Sequence, residues 1–414
     1  MPAVLFPDDH QFEYEALRAL GHSAHGGAEA GEVLAICERI TPGDYDAWYA
    51  AWRAAADRVA DVAQGAWTRG HQVSARDGWL RASNYYRTAE FFLHGDPGDP
   101  RMSQTYELSV RSFERAAPLL EPAVEPVEIP YDGVRLHGYH YRAARTASPD
   151  SGPRRPVILM HNGFDGTAEE MHFFGAAAAA QRGYDVVTFD GPGQASARHR
   201  HGLTFRPDWE HVVSQVLDWA LELPEVDITR VGLLGLSLGG LLAPRAAAFE
   251  QRIAGCAAVD GVYDMGIVAT SGFPVARQEA EGWLRADSAP EIDALLAQIA
   301  AENPTARWSF GHGCWALGAD TPRHFLAAYL DYTLAGVAER ITCPTLVCEA
   351  ENDMFFDGQP ALLMEHLTCP KTLLRMTSDE GAGLHCHVGA QRLALGRVCD
   401  WFDSVLGLAH ATGA

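Results

Sequence analysis

No run of eighteen apolar residues occurs in this chain, so no segment reads as a bilayer-spanning helix. The alanine run at 176–180 is too short and its side chains too small. The N-terminus, MPAVLFPDDHQFEYEAL, lacks both a basic n-region and an apolar h-region, so it does not read as a secretory signal. Cysteines at 37, 256, 314, 343, 348, 369, 386 and 399 form no CxxC pair and no zinc-ligand spacing. Together these absences describe a cytoplasmic enzyme with reduced thiols. Cys343 and Cys348 flank or sit in a probable strand, where core packing is the expected role. No basic patch with interleaved aromatics is present. The formal charge of −22 argues against nucleic acid and anionic membrane surfaces as partners. It favours a neutral or apolar small substrate. No internal repeat is evident.

What is present is enough for a large core. The chain has 414 residues, 47% of them apolar, which suits one large core with an added module. Residues 1–122 read as a helical N-terminal cap region. Apolar groups recur at helical spacing from Asp46 onward, and further helices are expected over 75–93 and 104–120. Asp96-Pro97-Gly98-Asp99-Pro100 breaks the chain between those two. The first 40 residues carry few signals and read as partly flexible.

From 123 a β/α alternation begins. Strands are expected at 127–131, 136–141, 157–161, 185–190, 231–236, 255–260, 345–350 and 372–376. Helices are expected at 168–181, 209–223, 238–249, 359–367 and 388–406. A first antiparallel hairpin followed by helix-joined strands describes the eight-stranded, mostly parallel sheet of an α/β-hydrolase fold. The core runs over 123–264 and 341–414, with a helical lid inserted at 265–340 after strand six. The lid has helical stretches at 275–285, 291–302 and 323–334 and holds Trp283, Trp308, Phe310 and Trp315. Aromatics on a mobile cover point to a large, flat or apolar substrate. The alternative, that they pack the lid onto the body, stays open.

Between 229 and 242 an apolar strand-like run ends in Gly235-Leu236-Ser237-Leu238-Gly239, and a small, apolar, helix-compatible stretch follows. That is the strand–turn–helix setting in which a serine becomes a nucleophile. The turn strains the serine backbone and needs glycine at its flanks. A helix N-cap serine in a Gly-rich turn is the plainer alternative. A serine needs a base, and the base an orienting acid, in the chain order Ser, Asp or Glu, His. Asp353 is the first aspartate in the loop after strand seven. Glu349 and Glu351 lie on or near the strand, and Asp357 lies further along. After strand eight, His385 ends a glycine-rich loop and is the first choice for the base. His387, at the expected start of the last helix, is the alternative. For the oxyanion, the amide of Leu238 follows the nucleophile. The loop His161-Asn162-Gly163-Phe164-Asp165-Gly166-Thr167 offers the amide of Phe164, or alternatively Gly163. Thr167 with Glu170 also fits a capping box. Asp190-Gly191-Pro192-Gly193-Gln194 reads as a structural turn.

Five stretches carry a further resemblance. They are the long one from Gly70 to Leu93, then Asn162 to Thr167, Gly235 to Gly240, Asp260 to Asp264 and Gly381 to Cys386. From about residue 45 to its end the chain resembles the branch of α/β-hydrolases that includes 2,6-dihydroxypseudooxynicotine hydrolase and the fungal hydrolases that shorten polyketide chains in melanin-pigment biosynthesis. The resemblance implies a helical N-terminal region that helps close the site, and a triad matching Ser237, Asp353 and His385. It also implies hydrolysis of a carbon–carbon bond beside a ketone, or of an ester, without metal or organic cofactor, and a homodimer. The chain departs from that pattern at Gly383-Leu384, where an acidic residue is expected before the histidine.

Arg76, Asn84, Tyr85, Tyr86 and Arg87 from the helical region, with Trp315 from the lid, are candidate contacts to a small apolar or aromatic acyl substrate. The alternative for the helical set is a polar interface between helices and sheet. Three functions follow: a C–C hydrolase acting on a β-diketone or polyketide-like substrate; a carboxylesterase; or a lyase, acyltransferase or binding module on the same fold. The complete Ser–Asp–His order argues against the binding module.

Overall fold

The computed structural model describes residues 4–144 and 154–408. Five helices precede the first strand: α1 (His10–Gly21), α2 (Ala30–Cys37), α3 (Tyr45–Thr68), α4 (Gln72–Glu90) and α5 (Pro100–Ala116). In α3, Trp48, Trp52, Ala55, Ala56, Val59, Ala63 and Ala66 recur at the helical period and are all buried. This is the stripe a helix needs to pack on a neighbour, and α4 lies against it. Asp44 caps α3 by accepting from the Ala47 amide at 2.9 Å.

Residues 4–40 are more ordered than their sequence indicates. Asp9 caps α1 by accepting from the Phe12 amide at 3.0 Å. Glu13 then reaches back to accept from the amides of Val4, Leu5 and Phe6. Phe6, Phe12 and Trp48 form an aromatic cluster that fixes α1 on the other helices.

All eight expected strands form: β1 (Val124–Tyr131), β2 (Val134–Tyr141), β3 (Arg155–His161), β4 (Asp185–Phe189), β5 (Val226–Leu236), β6 (Gly255–Val259), β7 (Thr345–Ala350) and β8 (Lys371–Met376). They make one sheet in the order β1-β2-β4-β3-β5-β6-β7-β8. β2 is antiparallel to β1 and β4, and every pair from β4 to β8 is parallel. The central strands β4 and β6 are buried at every position, as expected for a parallel sheet covered on both faces.

Crossovers are α6 (Ala176–Arg182), α7 (Ala195–His201), α8 (Glu210–Leu221) and α9 (Gly239–Ala247). Between β6 and β7 stand α10 (Met265–Thr270), α11 (Arg277–Arg285), α12 (Pro290–Glu302), α13 (Pro304–Leu317) and α14 (Pro322–Tyr329). After β7 and β8 respectively come α15 (Gln359–His366) and α16 (Gln391–Leu406).

Three helix expectations need correction. The single helix expected over 168–181 is broken at Gly175 (φ 136), and only α6 is a full α-helix there. α13 was not expected at all, because its large apolar residues do not keep to one face. The last helix begins at Gln391, not 388, because His385, Cys386 and His387 occupy a tight turn with positive φ at Cys386 and His387. Among the described residues, no helix is long and apolar enough to cross a membrane.

Candidate active site

Ser237 sits between β5 and α9 with φ 59, a left-handed conformation that costs a non-glycine residue about 1–3 kcal/mol. The crowding that holds it there is severe. A Cβ on Gly235 would lie 2.1 Å from the Gly239 carbonyl oxygen. One on Gly163 would lie 2.5 Å from the Leu236 oxygen and 2.6 Å from the Leu238 amide nitrogen. The loop after β3 can therefore press against the serine turn only because residue 163 has no side chain.

The structure brings Ser237, His385 and Asp353 together. His385 Nε2 lies 2.9 Å from Ser237 Oγ, and its Nδ1 lies 2.9 Å from Asp353 Oδ2. Asp353 stands in the turn after β7. Its Oδ1 accepts from the amides of Phe355 (2.8 Å) and Phe356 (3.1 Å), which aims Oδ2 at the ring. The rings of Phe355 and Phe356 stand edge-on to the imidazole. Burial pushes the Asp353 carboxyl up, but His385 and the two amides outweigh it and hold the group below its ordinary value.

A second carboxylate escaped the sequence reading. Asp260, at the end of β6 with φ 66, places Oδ2 3.3 Å from the same Nδ1 and accepts from the Cys386 amide through both oxygens. Its position directly after a central strand was the available signal. Burial pulls the His385 pKa down, but Asp260 and Asp353 overcome it and raise it to about 9.

The alternatives at these positions lie elsewhere. His387 is buried with Nδ1 3.0 Å from the Ala382 carbonyl. Glu351 accepts from the Ser378 amide.

Asp260, His385 and Cys386 form a compact group of donor atoms. Burial, with Asp260 beside it, holds the Cys386 thiol far above its ordinary pKa. A thiol so held does not present the thiolate that a soft metal needs.

Ser237 and His385 open into a cavity of about 430 Å³, within the usual range of small-molecule sites. Leu238, Gly163 and Phe164 line it beside the serine. Among the described residues, no acceptor is bonded by the amide of Leu238 or Phe164. One wall is apolar: Met265 and Val268 of α10, Trp308 and Phe310 of α13, Phe325 and Tyr329 of α14. The facing wall is polar and comes from α1: Gln11, Tyr14, Glu15 and Arg18.

That polar wall belongs to a buried ion network. Arg18 grips Glu170 with two bonds of 2.8 and 2.7 Å and reaches Asp165 at 2.9 Å. Arg87 contacts Asp165 at 3.3 Å and Glu15 at 3.4 Å. The Glu170 amide donates to the Thr167 hydroxyl oxygen, which caps it, but the Glu170 carboxylate is held by Arg18, so the capping box is half made. Burial lifts the Asp165 carboxyl, yet Arg18 and Arg87 prevail and hold it at about 2. For Glu15 burial prevails over the same arginines and raises it to about 7.

The expected substrate contacts need correction: Arg76, Asn84, Tyr85, Tyr86, Arg87 and Trp315 do not line this cavity. Arg76 pairs with Asp77. Asn84 donates to the Ala19 and Gly27 carbonyls. Tyr85 and Tyr86 donate to Glu32 and Asp57, and Trp315 packs on His94, His199 and Arg198. These polar groups on α4 are used to bind helix to helix. Only Arg87 touches the site, through Asp165 and Glu15. The α1 residues that do line it sit in the stretch with few sequence signals.

The model of the FrsA-like esterase family matches residues 46–269. The hydrolase acrC of Aspergillus aculeatus is 37% identical over 98% of this chain and 99% of its own. The 20-hydroxy-prefusarin hydrolase FUS2 of Gibberella moniliformis is 37% identical over 96% of this chain and 97% of its own. Among solved structures, 2,6-dihydroxy-pseudo-oxynicotine hydrolase matches with a TM-score of 0.71 at 23% identity, covering 94% of this chain and 95% of that one. At that identity the likeness speaks for the fold alone.

Proposed function

Starting from the fact that the chain belongs to the FrsA-like esterase family of α/β-hydrolases, we propose that this hydrolase works through a Ser237–His385–Asp353 relay and an acyl-enzyme. The reading rests on one observation: a strained serine hydroxyl at the cavity floor, 2.9 Å from an imidazole nitrogen whose other nitrogen is held by a carboxylate. His385 Nε2 takes the Ser237 proton as Oγ attacks an acyl carbonyl carbon. The amides of Leu238 and Phe164 receive the oxyanion, each worth about 3 kcal/mol. The bond to the leaving group breaks, its electron pair departs with that group, and His385 passes the serine's proton on to it, which frees the imidazole again. Water then attacks the acyl-enzyme, gives a proton to His385, and Ser237 recovers it.

The bond broken is a C–C bond beside a ketone, or an ester. A carbon leaving group departs as an enolate and needs a proton. That proton is the one His385 took from Ser237, and Glu15, on the cavity wall with its pKa raised to about 7 by burial, is suited to relay it to the carbon near neutral pH. This favours the C–C reading over simple ester hydrolysis. The apolar wall from α10, α13 and α14 suits an extended acyl chain of the polyketide kind, and the α1 wall suits its oxygenated end. Helices α10–α14 serve as the lid.

The test uses a p-nitrophenyl acyl ester and an aryl β-diketone, with wild type and Ser237→Ala. Wild type is expected to turn over both and the variant neither. In ¹⁸O water the label should enter the acid product. Full activity of Ser237→Ala would refute the serine mechanism. Products without added water would favour elimination. Ester turnover alone would favour a carboxylesterase.

A further inference from the structure

We propose that Gln194 and His312 are positioning residues that aim the Phe164 amide at the reacting carbonyl oxygen, with His94 and Glu90 fixing the tautomer of His312. The proposal rests on the function above, in which that amide is an oxyanion donor.

An amide N–H can be aimed only by fixing its peptide plane. The Phe164 N–H shares its plane with the Gly163 carbonyl and points the opposite way. Gln194 Nε2 donates to that carbonyl at 3.1 Å and also to the Asn162 carbonyl. Gln194 is itself 1% exposed, and its Oε1 accepts from the Gly191 amide at 2.8 Å, so the side-chain amide has one orientation. The turn that reads as merely structural in the sequence thus ends in a clamp on the loop.

The next plane is fixed from the other side. His312 Nε2 lies 2.8 Å from the Phe164 carbonyl oxygen. A carbonyl offers only an acceptor, so Nε2 must carry the proton. His312 is 1% exposed, and burial followed by His94 lowers its pKa to about 3, so the ring is neutral and Nδ1 carries a lone pair. His94 Nδ1, 2.7 Å away, must then donate to it. That leaves His94 Nε2 hydrogen-bonded with Glu90 Oε2. Every donor in this chain meets an acceptor. The His312 ring also lies parallel to that of Trp308 (5.3 Å, 4°).

Both planes flanking the Phe164 Cα are therefore held by buried side chains that do not line the cavity. Asp165, the following residue, is pinned by Arg18 and Arg87. Glu90 and His94 come from the helical region before the sheet and His312 from α13, so the amide is aimed only when both are seated on the core.

The experiment measures kcat and KM on the p-nitrophenyl ester, with the inhibition constant of a trifluoromethyl ketone that forms a tetrahedral adduct. His312→Phe keeps the aromatic stack and removes the donor. Its kcat should fall about 10–100-fold with KM changed less than about twofold, and the ketone should weaken in step with kcat. His312→Gln, whose Nε2–H can reach the same carbonyl, should recover at least about tenfold. Gln194→Met should match the phenylalanine variant. Wild-type kcat in both His312→Phe and Gln194→Met would overturn the proposal. So would equal losses in His312→Phe and His312→Gln with a raised KM, the pattern of a merely structural role. Ser237→Ala run alongside separates the two levels: its retained activity would fault the serine mechanism, whereas its inactivity beside a fully active His312→Phe would fault only the clamp.

Discussion

Two carboxylates face one nitrogen of His385, Asp353 at 2.9 Å and Asp260 at 3.3 Å. They stabilise the imidazolium, and they also delay the moment when the ring is free to accept a proton. With a pKa of about 9, kcat/KM on the p-nitrophenyl ester, whose leaving group needs no proton from Glu15, should climb as pH rises from neutrality and level off near 9. Asp260→Asn should move that limb to lower pH, as a pH–rate profile of the two proteins would reveal. Stability runs the other way. A raised pKa contributes stability that is full below the ordinary 6.5 and is lost as pH rises through about 9. Asp353→Asn should lower kcat by up to about 10⁴-fold through loss of the ring's tautomer. Steady-state rates of that variant, and of the double variant with Asp260→Asn, measure how far the second carboxylate substitutes. Asp353 was legible in the sequence because its place follows from chain order. Asp260 was legible only as a carboxylate at a strand end, because nothing in the order of residues says that β6 ends beside the loop after β8.

Strands were the most legible elements, since each is a short apolar run bounded by turn residues. α13 was hidden. Gly311 and Gly313 interrupt it, and Trp308, Phe310 and Trp315 leave it on different sides, because it is wedged between the turn at 91–95 and α14. α1 was hidden for the opposite reason: its inner face carries Gln11, Glu15 and Arg18, which look like surface residues until the network they join is seen. The polar run on α4 misled in the same way, since its side chains are consumed by neighbouring helices. α1 depends on its cap. Asp9→Ala should cost about 1 kcal/mol, and Trp52→Ala in the α3 core about 3–5 kcal/mol, both read from denaturant midpoints.

Across the whole molecule, a formal charge of −22 surrounds a cavity whose own ions are largely paired within the protein. Anionic substrates are repelled at long range, and neutral ones are not. For matched neutral and anionic esters, the neutral ester should have the larger kcat/KM at low salt. The gap should narrow as ionic strength rises and the screening length falls to about 8 Å. The same reading of charge, fold and triad order was available from the sequence. The shape of the cavity was not, because its two walls come from helices far apart in the chain order, α1 and α10–α14.

The central claim is that Ser237 becomes acylated. Rapid acid quench after mixing with a slow p-nitrophenyl acyl ester, followed by peptide mass spectrometry, reads this directly. The account expects the acyl mass on the peptide containing Ser237, rising and decaying with turnover and absent in Ser237→Ala. Turnover with that peptide unmodified throughout, or with the acyl group on another residue, would contradict it.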